Sequence, residues 1–356
     1  MRWSASTSSW RKASSSSRGD RAFGLPGRVR AGALALVLLG VLAMDILRPL
    51  RSFLPAFVAV VALAGPLHAQ DASPPAAAPT ASADVAAASG TLKRIRDTST
   101  LTLGVREASV PFSFIDSRKE PRGYSVDVCL KIADAIKTEL KLPRLDVRFL
   151  PVSSANRIEM VKNGKVDLEC GSTTNTRERQ KDVAFAYTTF VAGIKMLAKK
   201  SSNIASVDDL RGKTVVVTKG TTSEKMLREM NDDRVLHLTI LEAKDHNESF
   251  AAVADGRAVA FPMDDVLLYG LISKATKPDD FAVVGKYLSV EPYAIMLRKD
   301  DPAFERLVDR TLIELFQSGE IRRAYARWFA TRDLTVPMNQ YVKEAFAVPN
   351  TYPAWP

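Results

Sequence analysis

Histidine and cysteine are scarce in this chain, and their scarcity removes whole classes of chemistry. Of 356 residues three are His and two are Cys. His68 falls in a leader-like N-terminal stretch, so His237 and His246 are the histidines of the remaining chain. That number, without Cys–His ligand spacing, gives poor support for a metal centre. No nucleophile–histidine pair is evident for covalent catalysis. Long apolar runs are missing too. Residues 31–43 and 53–64 are apolar, but each falls short of the ~20 residues that span a bilayer. Asp45, Arg48 and Arg51 interrupt them, and no cysteine stands at the end of the second run to carry a lipid.

A strong excess of one charge is also lacking once the N-terminus is set aside. The formal charge is +10, but residues 1–69 hold nine of the 50 Lys/Arg and two of the 40 Asp/Glu, leaving 41 bases against 38 acids. The basicity is mostly a feature of the leader, and nucleic acid, which needs a clustered basic face, is not expected as a partner.

The leader has the layout of an export signal. A basic start at 44–51, an apolar core at 53–64 and the small-residue end Pro66-Leu67-His68-Ala69 read as a signal peptide over 44–69. Residues 1–43 read either as an over-extended start or as the first part of a bipartite leader. Residues 70–91 are rich in Ala and Pro and form a flexible linker. About 265 residues follow, enough for two lobes of moderate size. Export permits a bridge between Cys129 and Cys170, which would close a loop of about 40 residues for roughly 4 kcal/mol. Two buried free thiols are the other reading.

Strand-like and helix-like segments alternate from residue 101 onward. Strands are expected at 101–105, 145–150, 166–170, 214–217, 238–241 and 258–261. Helices are expected at 126–140, 154–162, 222–230, 248–254, 302–316 and 320–329. Repeated βα units imply an α/β fold with parallel sheets flanked by helices. The extended segments 190–198 and 293–298 break the rhythm and bracket a block with its own βα units. They read as two crossover strands between two lobes. The first lobe is then 92–194 together with 291–350, the second 195–290, with 351–356 a tail.

The most informative stretch is Glu169-Cys170-Gly171-Ser172-Thr173-Thr174-Asn175-Thr176-Arg177-Glu178-Arg179. It leaves a strand and enters a polar segment able to start a helix, pointing N–H groups, hydroxyls and a guanidinium at one spot. Such a spot suits a carboxylate. Other candidates also sit at the carboxyl ends of expected strands: Arg106, Ser154 and Arg157, Ser172 and Thr174, Thr221 and Thr222, His246, and Asp264. Thr221 and Glu224 have capping-box spacing. A lone Arg is ordinarily a solvated charge and a capping Thr need only cap. Their shared rim is what lifts them, because ligands of open α/β sheets bind beyond the strands' carboxyl ends.

These residues stand in segments that resemble the periplasmic glutamate/aspartate-binding proteins of ABC importers, a bilobal solute-binding family, over residues 92–350. The matching segments include Val105-Arg106-Glu107-Ala108-Ser109-Val110-Pro111-Phe112, Gly220-Thr221-Thr222-Ser223-Glu224, Ala243-Lys244-Asp245-His246, Met263-Asp264-Asp265 and Leu297-Arg298-Lys299-Asp300-Asp301-Pro302. The resemblance implies a two-lobe periplasmic-binding-protein-like fold, each lobe a mostly parallel sheet. It implies a monomer in the periplasm that passes L-glutamate or L-aspartate to an inner-membrane permease, with no cofactor and no metal. It also implies roles. Arg179, with the hydroxyls and amides around Thr174 and Thr222, would take the α-carboxylate, and Asp264 the α-ammonium. Arg106, Arg157, Ser154, Ser172 and His246 would surround the side-chain carboxylate. Charge economy agrees: a generic amino acid needs one cationic and one anionic partner, and further arginines call for a second negative charge on the ligand.

Two other readings fit the same scaffold. One is the ligand-binding part of an amino-acid sensor. The other is an enzyme, such as a dehydratase or lyase, for which Glu107, Glu169 and His246 would have to supply the general acid or base.

Overall fold

A computed structural model describes residues 90–354; the expected leader and residues 70–89 of the expected linker lie outside the described residues. The first helix, α1 (Gly90–Thr98), takes up the last two residues read as linker. Asp301 explains this, because its Oδ2 accepts the Thr91 N–H at 2.7 Å and anchors the helix start.

The first sheet contains β1 (Thr100–Val105), β5 (Asp146–Pro151), β6 (Leu168–Cys170), β7 (Val183–Ala192) and β13 (Glu291–Arg298), ordered β5-β1-β6-β13-β7. The helices α2 (Tyr124–Glu139) and α3 (Arg157–Lys162) are the crossovers of its βα units. A small sheet, β2 (Ala108–Ser109), β3 (Ser113–Ile115) and β4 (Pro121–Arg122), lies between β1 and α2 in the chain. The second sheet contains β8 (Ile194–Lys199), β9 (Thr214–Thr218), β10 (Thr239–Ala243), β11 (Ala260–Asp264) and β12 (Phe281–Val284), ordered β10-β9-β11-β8-β12. Its helices are α4 (Thr222–Asp233), α5 (His246–Ala254) and α6 (Asp265–Ile272). The chain ends with α7 (Pro302–Gln317), α8 (Glu320–Phe329) and α9 (Gln340–Ala347).

Both sheets are mixed. The βα units pair in parallel, β1 with β5 and β6, and β9 with β10 and β11. The strands at the crossings pair antiparallel: β13 with β6 and β7, and β8 with β11 and β12. The extended stretch 190–198 is split at Gly193, with β7 finishing in one sheet and β8 opening the other. The return runs through residues 285–290, and Tyr293–Arg298 lies wholly inside β13, within the first sheet. Gly193 is required at the crossing because a Cβ there would come within 2.7 Å of the Tyr287 ring and 2.8 Å of the Ser289 carbonyl.

Under the crossing lies an aromatic cluster. Phe112, Tyr124, Phe190, Tyr293 and Phe329 are buried and meet edge-on, tilted or stacked, with ring centroids 4.8 Å apart for Phe112–Phe190 and 6.4 Å for Tyr124–Phe190. Phe112 and Tyr124 therefore belong to the core, and Phe114 meets Trp328 edge-on. Cys129 on α2 and Cys170 at the end of β6 are bonded, with Cα atoms 6.2 Å apart. The bridge fixes the strand end from which the stretch at 171–179 departs. Among the described residues, no helix is long and apolar enough to cross a membrane.

Candidate functional site

The sheets present their strand ends to one small polar cavity. It is lined by Arg106, Ser154, Arg157, Ser172, Thr174, Thr221, Thr222, His246 and Asp264, with Met263 and Leu267, and has a volume of about 10 Å³. Nine of the ten residues singled out from the sequence thus meet at one place. Arg179 is beside it and does not line it.

Each residue is held by its own element. Arg106 follows β1, and its Nη2 donates to Ser154 Oγ at 2.6 Å. Arg157 opens α3 and donates to Thr173 Oγ1 at 2.6 Å; Thr173 in turn donates to Glu169 Oε2 at 2.6 Å. Glu169 thus steers Arg157 through a hydroxyl. Thr221 caps α4, accepting the Glu224 N–H at 3.1 Å, while Glu224 Oε2 accepts the Gly220 N–H at 2.7 Å. His246 is the first residue of α5 and lies 3.0 Å from Thr218 Oγ1 through Nδ1, leaving Nε2 for a ligand. Asp264 ends β11 at the start of α6 and accepts from the Tyr293 phenol at 2.5 Å.

The stretch at 171–179 is built differently from the expected helix start. It stays irregular and reaches only a three-residue 3₁₀ turn at Arg179–Lys181, so the expected helix-terminus anion site is absent. The chain here is shaped by long-range partners instead. Asn175 N–H donates to the Pro292 carbonyl, its Nδ2 to the Thr351 carbonyl, and its own carbonyl accepts from Ala354 N–H. The C-terminal tail straps the stretch in place.

Arg179 spans the cleft. Its Nη1 donates to the Thr174 carbonyl at 2.8 Å and its Nη2 to the Gly220 carbonyl at 3.2 Å. The approach is close: a Cβ on Gly220 would sit 2.6 Å from the Ala155 Cα, and its φ of +79° already favours glycine. Lys225 adds an exposed ion pair to Glu178 at 2.6 Å. The cleft is closed.

Sequence reasoning missed Glu291 and Tyr293. Glu291 Oε2 accepts from both Thr174 Oγ1, at 2.7 Å, and Thr222 Oγ1, at 2.8 Å. With those protons committed, both hydroxyls offer lone pairs, not donors, to the cleft. No local pattern marks Glu291; only its place at the return crossing does.

The electrostatics are those of a charged ligand's site. Burial, then the neighbouring Arg157, pushes the Arg106 and Arg179 guanidinium groups down to about 9, still cationic at neutral pH. Burial, then Arg106 and Arg157, holds the His246 imidazole well below its ordinary value, so it is neutral. Burial, then Glu291, holds the Asp264 carboxyl well above the usual range. Arg106 Nη1, Arg157 Nε, Ser172 Oγ and Asp264 Oδ1 are buried and unpaired. Unpaired buried donors and acceptors cost free energy, and a ligand with complementary charges removes that cost. Among the described residues no group of three His, Cys, Asp or Glu is placed to hold a metal ion. Glu107 is exposed and outside the cavity.

Residues 101–331 match the bacterial extracellular solute-binding proteins, family 3. The L-glutamate/L-aspartate-binding protein of Pseudomonas aeruginosa is 49% identical over 267 residues, covering 73% of this chain and 88% of that one. The glutamate/aspartate import solute-binding protein of Escherichia coli is 41% identical over 307 residues, covering 85% and 98%. Among solved structures, a mutant arginine-binding protein of T. maritima aligns with a TM-score of 0.61 at 25% identity, covering 67% of this chain and 99% of that one.

Proposed function

The chain belongs to the bacterial extracellular solute-binding proteins of family 3, and we propose that it captures L-glutamate or L-aspartate between its two sheets and delivers it to the permease of an ABC importer. One observation carries the reading. Unpaired buried donors from Arg106, Arg157 and Ser172 share the site with an unpaired acceptor of Asp264. A zwitterion bearing a second carboxylate is complementary to that set.

Asp264 Oδ1 receives the α-ammonium, with the lone pairs of the Thr174 and Thr222 hydroxyls as further acceptors. The α-carboxylate takes backbone amides around Thr174 and Thr222, with Arg157 close by. Arg106 Nη1, Ser154, Ser172 and His246 Nε2 receive the side-chain carboxylate. Neutral His246 can donate or accept through Nε2, as its tautomer requires. Met263 and Leu267 cover the ligand methylenes. Arg179 acts on closure, tying the two sides at Thr174 and Gly220. Because the site is assembled from both sides, ligand contacts favour the closed state, the basis of hinge capture. The protein acts as a monomer in the periplasm; among the described residues no helix is long and apolar enough to cross a membrane.

The test is calorimetric titration of the purified protein, freed of ligand by unfolding and refolding, with glutamate, aspartate and glutamine. Micromolar or tighter binding of both acids is expected, with glutamine weaker by about a hundredfold because a neutral amide leaves charged donors unpaired. Equal binding of glutamine would overturn the acidic pocket. Failure of a folded protein to bind any of the three would overturn the capture reading.

A further inference from the structure

Glu291 is a buried carboxylate with no Lys or Arg ion-paired to it among the described residues. It is 2% exposed and stands where the chain returns from the second sheet to the first. All three of its hydrogen-bond partners are hydroxyls, and the Arg179 guanidinium acts on it electrostatically. Oε2 accepts from Thr174 at 2.7 Å and Thr222 at 2.8 Å, and Oε1 from Ser289 at 2.5 Å. Thr174 bridges to Tyr293 and so moves with the first sheet. Thr222 opens α4 and moves with the second. Both line the ligand cavity. One carboxylate oxygen therefore joins the two moving halves through two residues of the binding site.

A carboxylate suits this place. It is acceptor-only, and one oxygen can take two donors at once. Charge-assisted hydrogen bonds of this kind are about twice as strong as neutral ones. Opening the cleft breaks the Thr222 bond and leaves the carboxylate short of one of its three donors. The penalty falls on opening, so it governs escape of the ligand more than its entry.

We propose that Glu291 is the latch of the cleft, a positioning residue that fastens Thr174 to Thr222 and sets the lifetime of the closed complex. The proposal rests on the capture reading above. It predicts a kinetic signature that a merely structural residue lacks. Glutamine at 291 keeps one acceptor but turns an amide N–H₂ toward hydroxyls whose protons already point there.

Stopped-flow measurement of glutamate binding to wild type, Glu291→Gln and Glu291→Ala separates entry from escape. The expected result for Glu291→Gln is release faster by about tenfold or more, with association changed by less than about threefold, since related complexes differ mostly in dissociation. The effects of Glu291→Gln and Thr222→Val should also be non-additive, because each breaks the same bond. Thermal unfolding of the ligand-free variants checks folding, and the near-isosteric Gln variant carries the test where Ala fails to fold. Unchanged release in Glu291→Gln, slower association alone, or full additivity with Thr222→Val would each overturn the latch while leaving capture standing. Absence of glutamate binding by the wild type would overturn the capture reading and the latch with it.

Discussion

The Tyr293 phenol donates to Asp264 Oδ2 at 2.5 Å while Asp264 Oδ1 stays buried and unpaired. One oxygen is fixed by the first sheet and the other is free for a partner in the cavity. Under the proposed function the residue would face two demands: burial and Glu291 both oppose its charge, and the ammonium of an amino acid would require it.

Asp264→Asn should therefore separate stability from function. Binding of glutamate should weaken by about 2–5 kcal/mol, the usual cost of losing one partner of a buried charge pair. The folded Asp264 pKa is raised, so at neutral pH its charge works against the ligand-free fold. The ligand-free variant should consequently melt higher than wild type at pH 7. Calorimetry and thermal unfolding of the same preparation check both halves; a lower melting point for the variant would contradict the argument.

Arg106 and Arg179 should behave differently. Arg106 lines the cavity and keeps Nη1 unpaired. Arg106→Gln should weaken glutamate by about a hundredfold and leave glutamine within a few-fold, so discrimination collapses. Arg179 lies beside the cavity and ties Thr174 to Gly220. Arg179→Ala should weaken both ligands by similar factors. Titration of each variant with each ligand gives the comparison.

Asp309 provides a pH-dependent contribution away from the site. Burial, opposed by the bond from Tyr187 N–H, raises its carboxyl from 3.8 to about 6. A raised folded pKa means stability that is full below 3.8 and is lost as pH rises through 6. Asp309→Asn keeps an acceptor for Tyr187 and removes the titration. Denaturant unfolding between pH 4 and 7 should show this decline in wild type, and a shallower one in the variant.

The Cys129–Cys170 bridge joins residues 41 apart in sequence. Replacing both with Ala should lower stability by about 2–4 kcal/mol through the freed unfolded chain. The comparison is urea unfolding of the oxidised wild type against the variant. Reductant should carry the wild type toward the variant's midpoint, and an unmoved midpoint would show that the bridge contributes nothing.

Local chemistry made much of this architecture readable. Apolar runs of strand length alternate with helical spacing, so β1, β9, α2, α7 and α8 stand within a few residues of where the pattern places them. Thr221 and Glu224 interact within one turn of chain, and the cap they form is visible as a spacing. The cavity residues were legible because each follows a strand, and strand ends are where a βα fold puts ligands. Local chemistry also misled: the polar run after Cys170 could start a helix, but Asn175 and the C-terminal tail, 176 residues away, hold it irregular.

What the sequence determined by itself was a set of short-range facts: which segments are strands or helices, which residues cap them, and which charges stand at their ends. What the tertiary structure decided was which of those charges meet. Thr174 and Glu291 lie 117 residues apart, and Thr222 and Glu291 lie 69 apart. The turn from one sheet to the other falls on a single residue, Gly193, inside a continuous extended run. Strand and helix signals arise from neighbours a few residues apart, so they are written locally. A carboxylate shared between two moving halves depends on how the sheets are joined, and no local pattern of residues encodes that distance.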